Sequence, residues 1–203
     1  VVPSARDAEV LNLFTAIFNY FKRGLAQEPV LQIFINLFPA TLNMITANFE
    51  DNPEHRRALY HFLRTVIEFH LPTVFAGLQP HEFQLVMDSI FWGIKHLTND
   101  VQELALSSLE SILVQLQQLA APGNTAGQQT CNTFYQSFIF TIFSSLLGVL
   151  TDTFHRSAFP KHVYLLSNLC LIVKNNKITA LLQEPIPPNA DPNTVQQLQQ
   201  QQQ

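Results

Sequence analysis

Apolar residues return at intervals of three and four along almost the whole chain and nowhere alternate for long, so the sequence fits a succession of amphipathic helices and no sheet. Residues 100–120 show the pattern. Val101, Leu104, Ala105, Leu109, Ile112, Leu113, Leu116 and Leu119 form one stripe, while Gln102, Glu103, Glu110 and Gln117 lie off it. The same reading predicts helices over 5–23, 28–47, 53–70, 80–97, 98–120, 130–150 and 160–175. Pro53, Pro80 and Pro160 fall where first-turn prolines belong, and Asn52 and Gln79 precede two of them. Asp100 offers an alternative cap for the fifth helix. Pro39 removes a backbone donor inside the second, which predicts a kink near 35–39. The stretch APGNTAGQQ (121–129) reads as a loop.

Helices of one type start near 28, 80 and 130, and those of the other near 53, 99 and 160, a period of about 50 residues. Two helices per period is the signature of a HEAT-type solenoid, whose helix pairs need their neighbours to bury their apolar faces. The fourth helix carries a second apolar patch of the required kind: Phe83, Val86, Ile90, Ile94 and Leu97 form its stripe, and Leu85 and Trp92 lie off it. The expected architecture is all-α, a HEAT-repeat solenoid fragment of about seven helices (three and a half pairs) over 1–184, with a plain helical bundle as the alternative. Residues 185–203, rich in Pro and Gln, read as a disordered tail or an insertion.

Composition narrows the function. Seventeen Phe and 47% hydrophobic residues exclude disorder throughout, while charged residues are only 13%. Net charge is −4 with 11 basic residues, which leaves no electrostatic footprint for direct nucleic-acid binding or for anionic lipid. No charge occurs between Glu110 and Asp152, but the most apolar part of that stretch, 138–150, is short of the roughly 20 residues that span a bilayer, so no membrane association is expected. Cys131 and Cys170 cannot build a disulfide framework, and no Asn-x-Ser/Thr acceptor occurs, which fits a reducing compartment. The chain opens on VVPSARD, without a signal-peptide pattern, and stops inside a Gln run, as a piece of a longer protein does.

Catalytic signatures are missing: there is no GxSxG, GxxxxGK[ST], HExxH or CxxC. His55 and His61 are spaced wrongly for shared metal ligation, and Asp152 with His155 lacks a third ligand, so they read as a cap or surface pair. No enzyme activity, cofactor or metal is expected. The most suggestive constellation lies on the third helix, where Glu54, Arg57, His61, Arg64 and Glu68 recur at three and four opposite Leu59, Phe62, Leu63, Val66 and Ile67. Such a row is either a solvated face with spaced ion pairs or a partner-binding surface. Phe138, Phe140 and Phe143 read as core, with a peptide groove as the other possibility.

Given helix pairs of this type, particular strings become informative. VPSARDAEVLNLF (2–14), TLNMI (41–45), FEDNPEHR (49–56), FQLVMDSIFWGIKH (83–96), FYQSF (134–138), VLTDTFH (149–155) and NKITALL (176–182) occur in this order. They resemble the carboxy-terminal repeats of the chromosome-region-maintenance exportins, in the importin-beta superfamily. The loop around Pro122–Gly127 and the Gln-rich tail depart from that pattern. The resemblance implies a nuclear export receptor that carries leucine-rich-signal cargo together with Ran-GTP, meets nucleoporins, and shuttles between nucleus and cytoplasm through the nuclear pore. It places the signal groove, its reactive cysteine and the main Ran cradle upstream, so neither Cys131 nor Cys170 takes the groove role. It also places the second helix of each pair on the concave side, which makes Arg57, His61, Arg64 and Glu68 candidate Ran or partner contacts. A HEAT-type scaffold subunit of a cytosolic complex is the competing reading.

Overall fold

The structure, a computed structural model, describes residues 7–47, 52–152 and 158–174. Among these residues there are seven α-helices and no strand: α1 Ala8–Phe21, α2 Gln27–Ala47, α3 Pro53–Gly77, α4 Pro80–Ile94, α5 Asn99–Leu119, α6 Thr125–Leu150 and α7 Phe159–Lys174, with a 3₁₀ turn at Lys22–Gly24. The pairs α2–α3, α4–α5 and α6–α7 pack together. In addition α3 lies between α1 and α5, and α5 reaches α7. One layer therefore contains α1, α3, α5 and α7 and the other α2, α4 and α6, which is the expected array of three and a half helix pairs. The expected tail, and the 1–184/185–203 boundary with it, lies outside the described residues, as do NKITALL and His155.

Local signals explain the starts of α1, α4 and α6. The Asp7 carboxylate accepts from Glu9 N at 3.2 Å and starts α1. At α4, Pro80 follows Gln79, whose N–H donates to the Glu82 carboxylate at 2.8 Å, so the N-terminal turn is closed from both sides. Asn124 starts α6: its Oδ1 accepts from Gly127 N at 3.0 Å and its Nδ2 donates to Leu119 O at 2.9 Å. A Cβ on Gly127 would stand 2.1 Å from that same carbonyl, so only glycine lets the turn close this tightly.

Five details depart from the sequence reading. The loop expected over 121–129 is shorter, because the Asn124 cap draws 125–129 into α6. The fifth helix is capped from Thr98, and Asp100 lies within its first turn. Helix α4 stops at Ile94, leaving Leu97 73% exposed. The second helix runs unbroken through Pro39, since Phe34 and Phe38 before it and Thr41, Leu42 and Ile45 after it are all buried on one stripe. The break comes in α3, which continues past His70 to Gly77. His70 has non-helical backbone angles (φ −129°, ψ 19°), two residues before Pro72, whose ring displaces the carbonyl one turn back. Leu71, Thr73 and Val74 are buried beyond the break and hold the second half in place.

Aromatic packing accounts for the phenylalanine content. Phe62 is fully buried and stacks with Phe18 (centroids 5.8 Å apart) and Phe34 (6.0 Å), joining α1, α2 and α3. Phe83 meets Phe75 at 4.7 Å and Phe138 at 5.9 Å, joining α3, α4 and α6. Helices α2 and α6 are long and apolar enough to cross a membrane by length and composition. The added first turn of α6 brings it past the length expected from sequence, and both helices bury a stripe of apolar residues, α2 against α3 and α6 against α4, α5 and α7.

Candidate functional site

The charged row predicted on the third helix is present. The face of α3 turned from the core carries Glu54, Arg57 and His61 exposed and Arg64 and Glu68 half-buried, while Leu59, Phe62, Leu63, Val66 and Ile67 are buried opposite. Spacing at three and four puts these side chains one above the other along 54–68. Arg64 is paired within the helix to Glu68 at 3.1 Å, and Arg57 crosses to Asp100 on α5 at 3.0 Å.

The row does not stop at α3. On α5, Glu110 pairs with Lys161 of α7 at 3.2 Å, and the same ammonium group donates to Ser107 Oγ at 2.7 Å. Below the polar surface, Gln115 Nε2 donates to Ile67 O at 2.8 Å and fixes the register of α5 on α3. Polar rungs therefore run from α3 to α5 to α7 across one layer. Sequence reading missed Asp100, Ser107, Glu110 and Lys161 as members, because they share no helix with the α3 row. The spacing Asp100, Ser107, Glu110 along one side of α5 was the available signal, but without the α3–α5 register it did not point at Arg57.

His61 stands between Arg57 and Arg64. Partial burial lowers its pKa below the usual 6.5, the two guanidinium groups lower it further, and Asp100 opposes them. His70, at the break in α3, is also lowered, by burial first and then by Arg23. Both groups bind a proton less readily folded than unfolded, so the unfolded chain gains protons as pH falls below about 6.5 and folding is opposed. Thermal stability is expected to be flat above neutrality and to drop by several °C between pH 7 and 5.5, about 1 kcal/mol at most from each histidine per pH unit and less for the more exposed His61. A scan of melting temperature against pH checks this, and a flat profile in that window would contradict it.

The three phenylalanines of α6 divide. Phe138 is buried and Phe143 half-buried, as core residues are, whereas Phe140 is 69% exposed. A cleft of about 420 Å³ opens between α4 and α6, lined by Phe83, Phe134 and Phe138 with Gln84, Thr133 and Ser137. Among the described residues no cluster of three or more His, Cys, Asp or Glu is arranged to hold a metal. Cys131 is buried, Cys170 is exposed, and neither is in a disulfide.

Two layers of paired helices, ruled on one side by charged rungs, define an all-α helical-repeat array. The sequence matches the family described as CRM1 C terminal over residues 1–202, and the chain belongs to that family. It is 38% identical over 178 residues to Protein EXPORTIN 1A of Arabidopsis thaliana, 36% over 188 residues to Exportin-1 of Drosophila melanogaster, and 34% over 184 residues to Exportin-1 of Schizosaccharomyces pombe. These alignments cover 88%, 93% and 91% of this chain but only 16%, 17% and 16% of the respective relatives. The exportin resemblance read from the motifs is therefore correct, and the chain corresponds to about a sixth of such a protein.

Proposed function

We propose that this chain is a section of a nuclear export receptor that carries leucine-rich-signal cargo with Ran-GTP, contacts nucleoporins, and moves between nucleus and cytoplasm through the nuclear pore. Its contribution is shape and surface, with no bond made or broken. The observation that carries this reading beyond family membership is the row Arg57, His61, Arg64 and Glu68, with Arg57 and His61 exposed and Arg64 and Glu68 half-buried on the layer of α1, α3, α5 and α7. With Arg57 paired to Asp100 and Arg64 to Glu68, the row presents guanidinium donors and carboxylate acceptors in alternation and in a fixed geometry, suited to a partner surface of mixed charge. The neutral His61 between the two arginines adds a hydrogen-bonding group without adding repulsion. Exposed apolar side chains at the two flanks, Leu13, Tyr20 and Phe21 on α1 and Phe159, Tyr164 and Leu171 on α7, suit a longer array in which further helices cover them.

The test uses a full-length receptor containing this section with Arg57→Glu and Arg64→Glu together. Reversing two charges at a rim slows encounter more than it speeds release, so association with GTP-loaded Ran is expected to fall about tenfold and to lose much of its salt dependence. Binding to GDP-loaded Ran serves as the background. Association kinetics indistinguishable from the parent would mean that the row is a solvated face stabilised by its own ion pairs.

A further inference from the structure

The break in α3 opens a cavity that the charged row does not use. It measures about 380 Å³ and lies where the α1–α2 turn, the kink and the end of α5 meet, lined by Arg23, Gln27, His70, Thr73, Gln115 and Gln118 among others. No carboxylate of the described residues lines it, in a chain whose net charge is −4. His70 is 4% exposed, and its Nε2 is buried with no hydrogen-bond partner. The His70 ring therefore forms part of the cavity wall beside Arg23 without turning its Nε2 to the open space, and the polar groups that face an occupant come from Arg23, Gln27 and Gln118.

The turn that delivers Arg23 is itself unusual. Lys22 has φ 48°, a left-handed conformation that a non-glycine residue adopts only when its surroundings hold it there. Its ammonium group sits 6.0 Å from the centroid of the Phe69 ring, next to His70 in sequence. Two consecutive basic residues are thus held at the mouth of the kink. The His70 ring in turn packs edge-on against Phe18, 5.3 Å between centroids, and cannot swing away without disturbing the core.

We infer that this cavity is a binding site for a small oxyanion, a carboxylate or a phosphate borne on a side chain of a partner peptide. Arg23 supplies the charge, the amides of Gln27 and Gln118 supply neutral hydrogen bonds, and the His70 ring is part of the wall and reports on what enters. Gln115 is a lesser contributor, because its nitrogen is committed to Ile67 O and Ser111 Oγ. The volume exceeds that of a bare carboxylate or phosphate and leaves room for the side chain that presents it. The site is separate from the charged row, so a failure here leaves the proposed function untouched.

The experiment is an NMR titration of the full chain, with histidine ring resonances observed while sodium phosphate or sodium glutarate replaces sodium chloride at constant ionic strength and pH. The expected result is a saturable shift of the His70 signals with at least one of the two anions. The anion that acts identifies the source as phosphorylated or acidic. Arg23→Gln is on the surface and should leave the fold intact while weakening the interaction about tenfold, as loss of one charge-assisted hydrogen bond does. Gln118→Leu should weaken it less. Shifts that do not saturate, shifts equal to those in chloride, or saturation that survives Arg23→Gln unchanged would each overturn the proposal.

Discussion

Phe62→Ala is expected to cost this fold about 3–5 kcal/mol, a large part of the roughly 5–15 kcal/mol that keeps a typical domain folded. Phe62 is fully buried on α3, with its ring within 6.0 Å of Phe18 from α1 and Phe34 from α2. Removing it deletes the shared wall between three helices, and neither neighbour can fill the space without leaving its own packing, since Phe34 also stacks on Phe38 at 5.0 Å. The melting temperature should fall by roughly 6–20 °C, on a scale of about 2–4 °C per kcal/mol for a chain of this size. Phe62→Leu should recover most of the loss. Calorimetry of the two variants decides the matter: a drop of only a few degrees for the alanine would mean that α1, α2 and α3 do not share this core.

Gly93→Leu is expected to be comparably damaging for the opposite reason. A Cβ at residue 93 would lie 2.5 Å from the Tyr60 ring and 2.7 Å from the Cβ of Ala105, so α4 touches α3 and α5 there almost by its backbone alone. Tyr60 cannot yield easily. Its hydroxyl donates to Ser89 O at 2.5 Å, and burial holds its pKa far above the ordinary value, so it stays a donor. Alanine at 93 gains about 1 kcal/mol of helix propensity against a clash of similar size, which makes its net effect small or moderately unfavourable. Leucine adds a branched side chain with nowhere to go and should cost about 3 kcal/mol or more. Urea denaturation measures the loss. Because the clash is mutual, the double variant Gly93→Leu, Tyr60→Ala should be less damaged than the sum of its parts. Strict additivity, or wild-type stability for Gly93→Leu, would show that the helices do not meet at this point.

Both predictions rest on helices whose positions were readable from apolar spacing, because burial of one stripe is decided residue by residue along a single helix. The core stripe of α5 is an instance: Val101, Ala105, Leu109, Ile112, Leu113 and Leu116 are all buried as their spacing requires. What spacing did not disclose depended on contacts between helices. Pro39 and Pro72 look alike as breakers, yet α2 runs through the first and α3 bends before the second. Gln102 reads as a surface residue but is 1% exposed, its amide nitrogen donating to Ile94 O at 3.0 Å to tie α5 to the end of α4. Within the candidate site, the α3 half was legible as a charge repeat, whereas Asp100 and Lys161 belong to it only because of how α5 and α7 are set beside α3. The kink cavity had no sequence signal at all, since its walls come from three separate stretches of chain.

The order in which the helices touch has a consequence for how disturbance spreads. Each helix of the charged layer leans on the one before it and the one after it, α1 on α3, α3 on α5, α5 on α7, so the array behaves as a line of coupled units more than as a droplet with one centre. In such a line a defect is felt according to how many couplings run through its position. Helix α3 has couplings on both sides and to α2, and a fault there severs the line in two. Among the described residues α7 meets α5 and α6, and Phe159, Tyr164 and Leu171, which it leaves exposed, are where a longer array would add its next coupling.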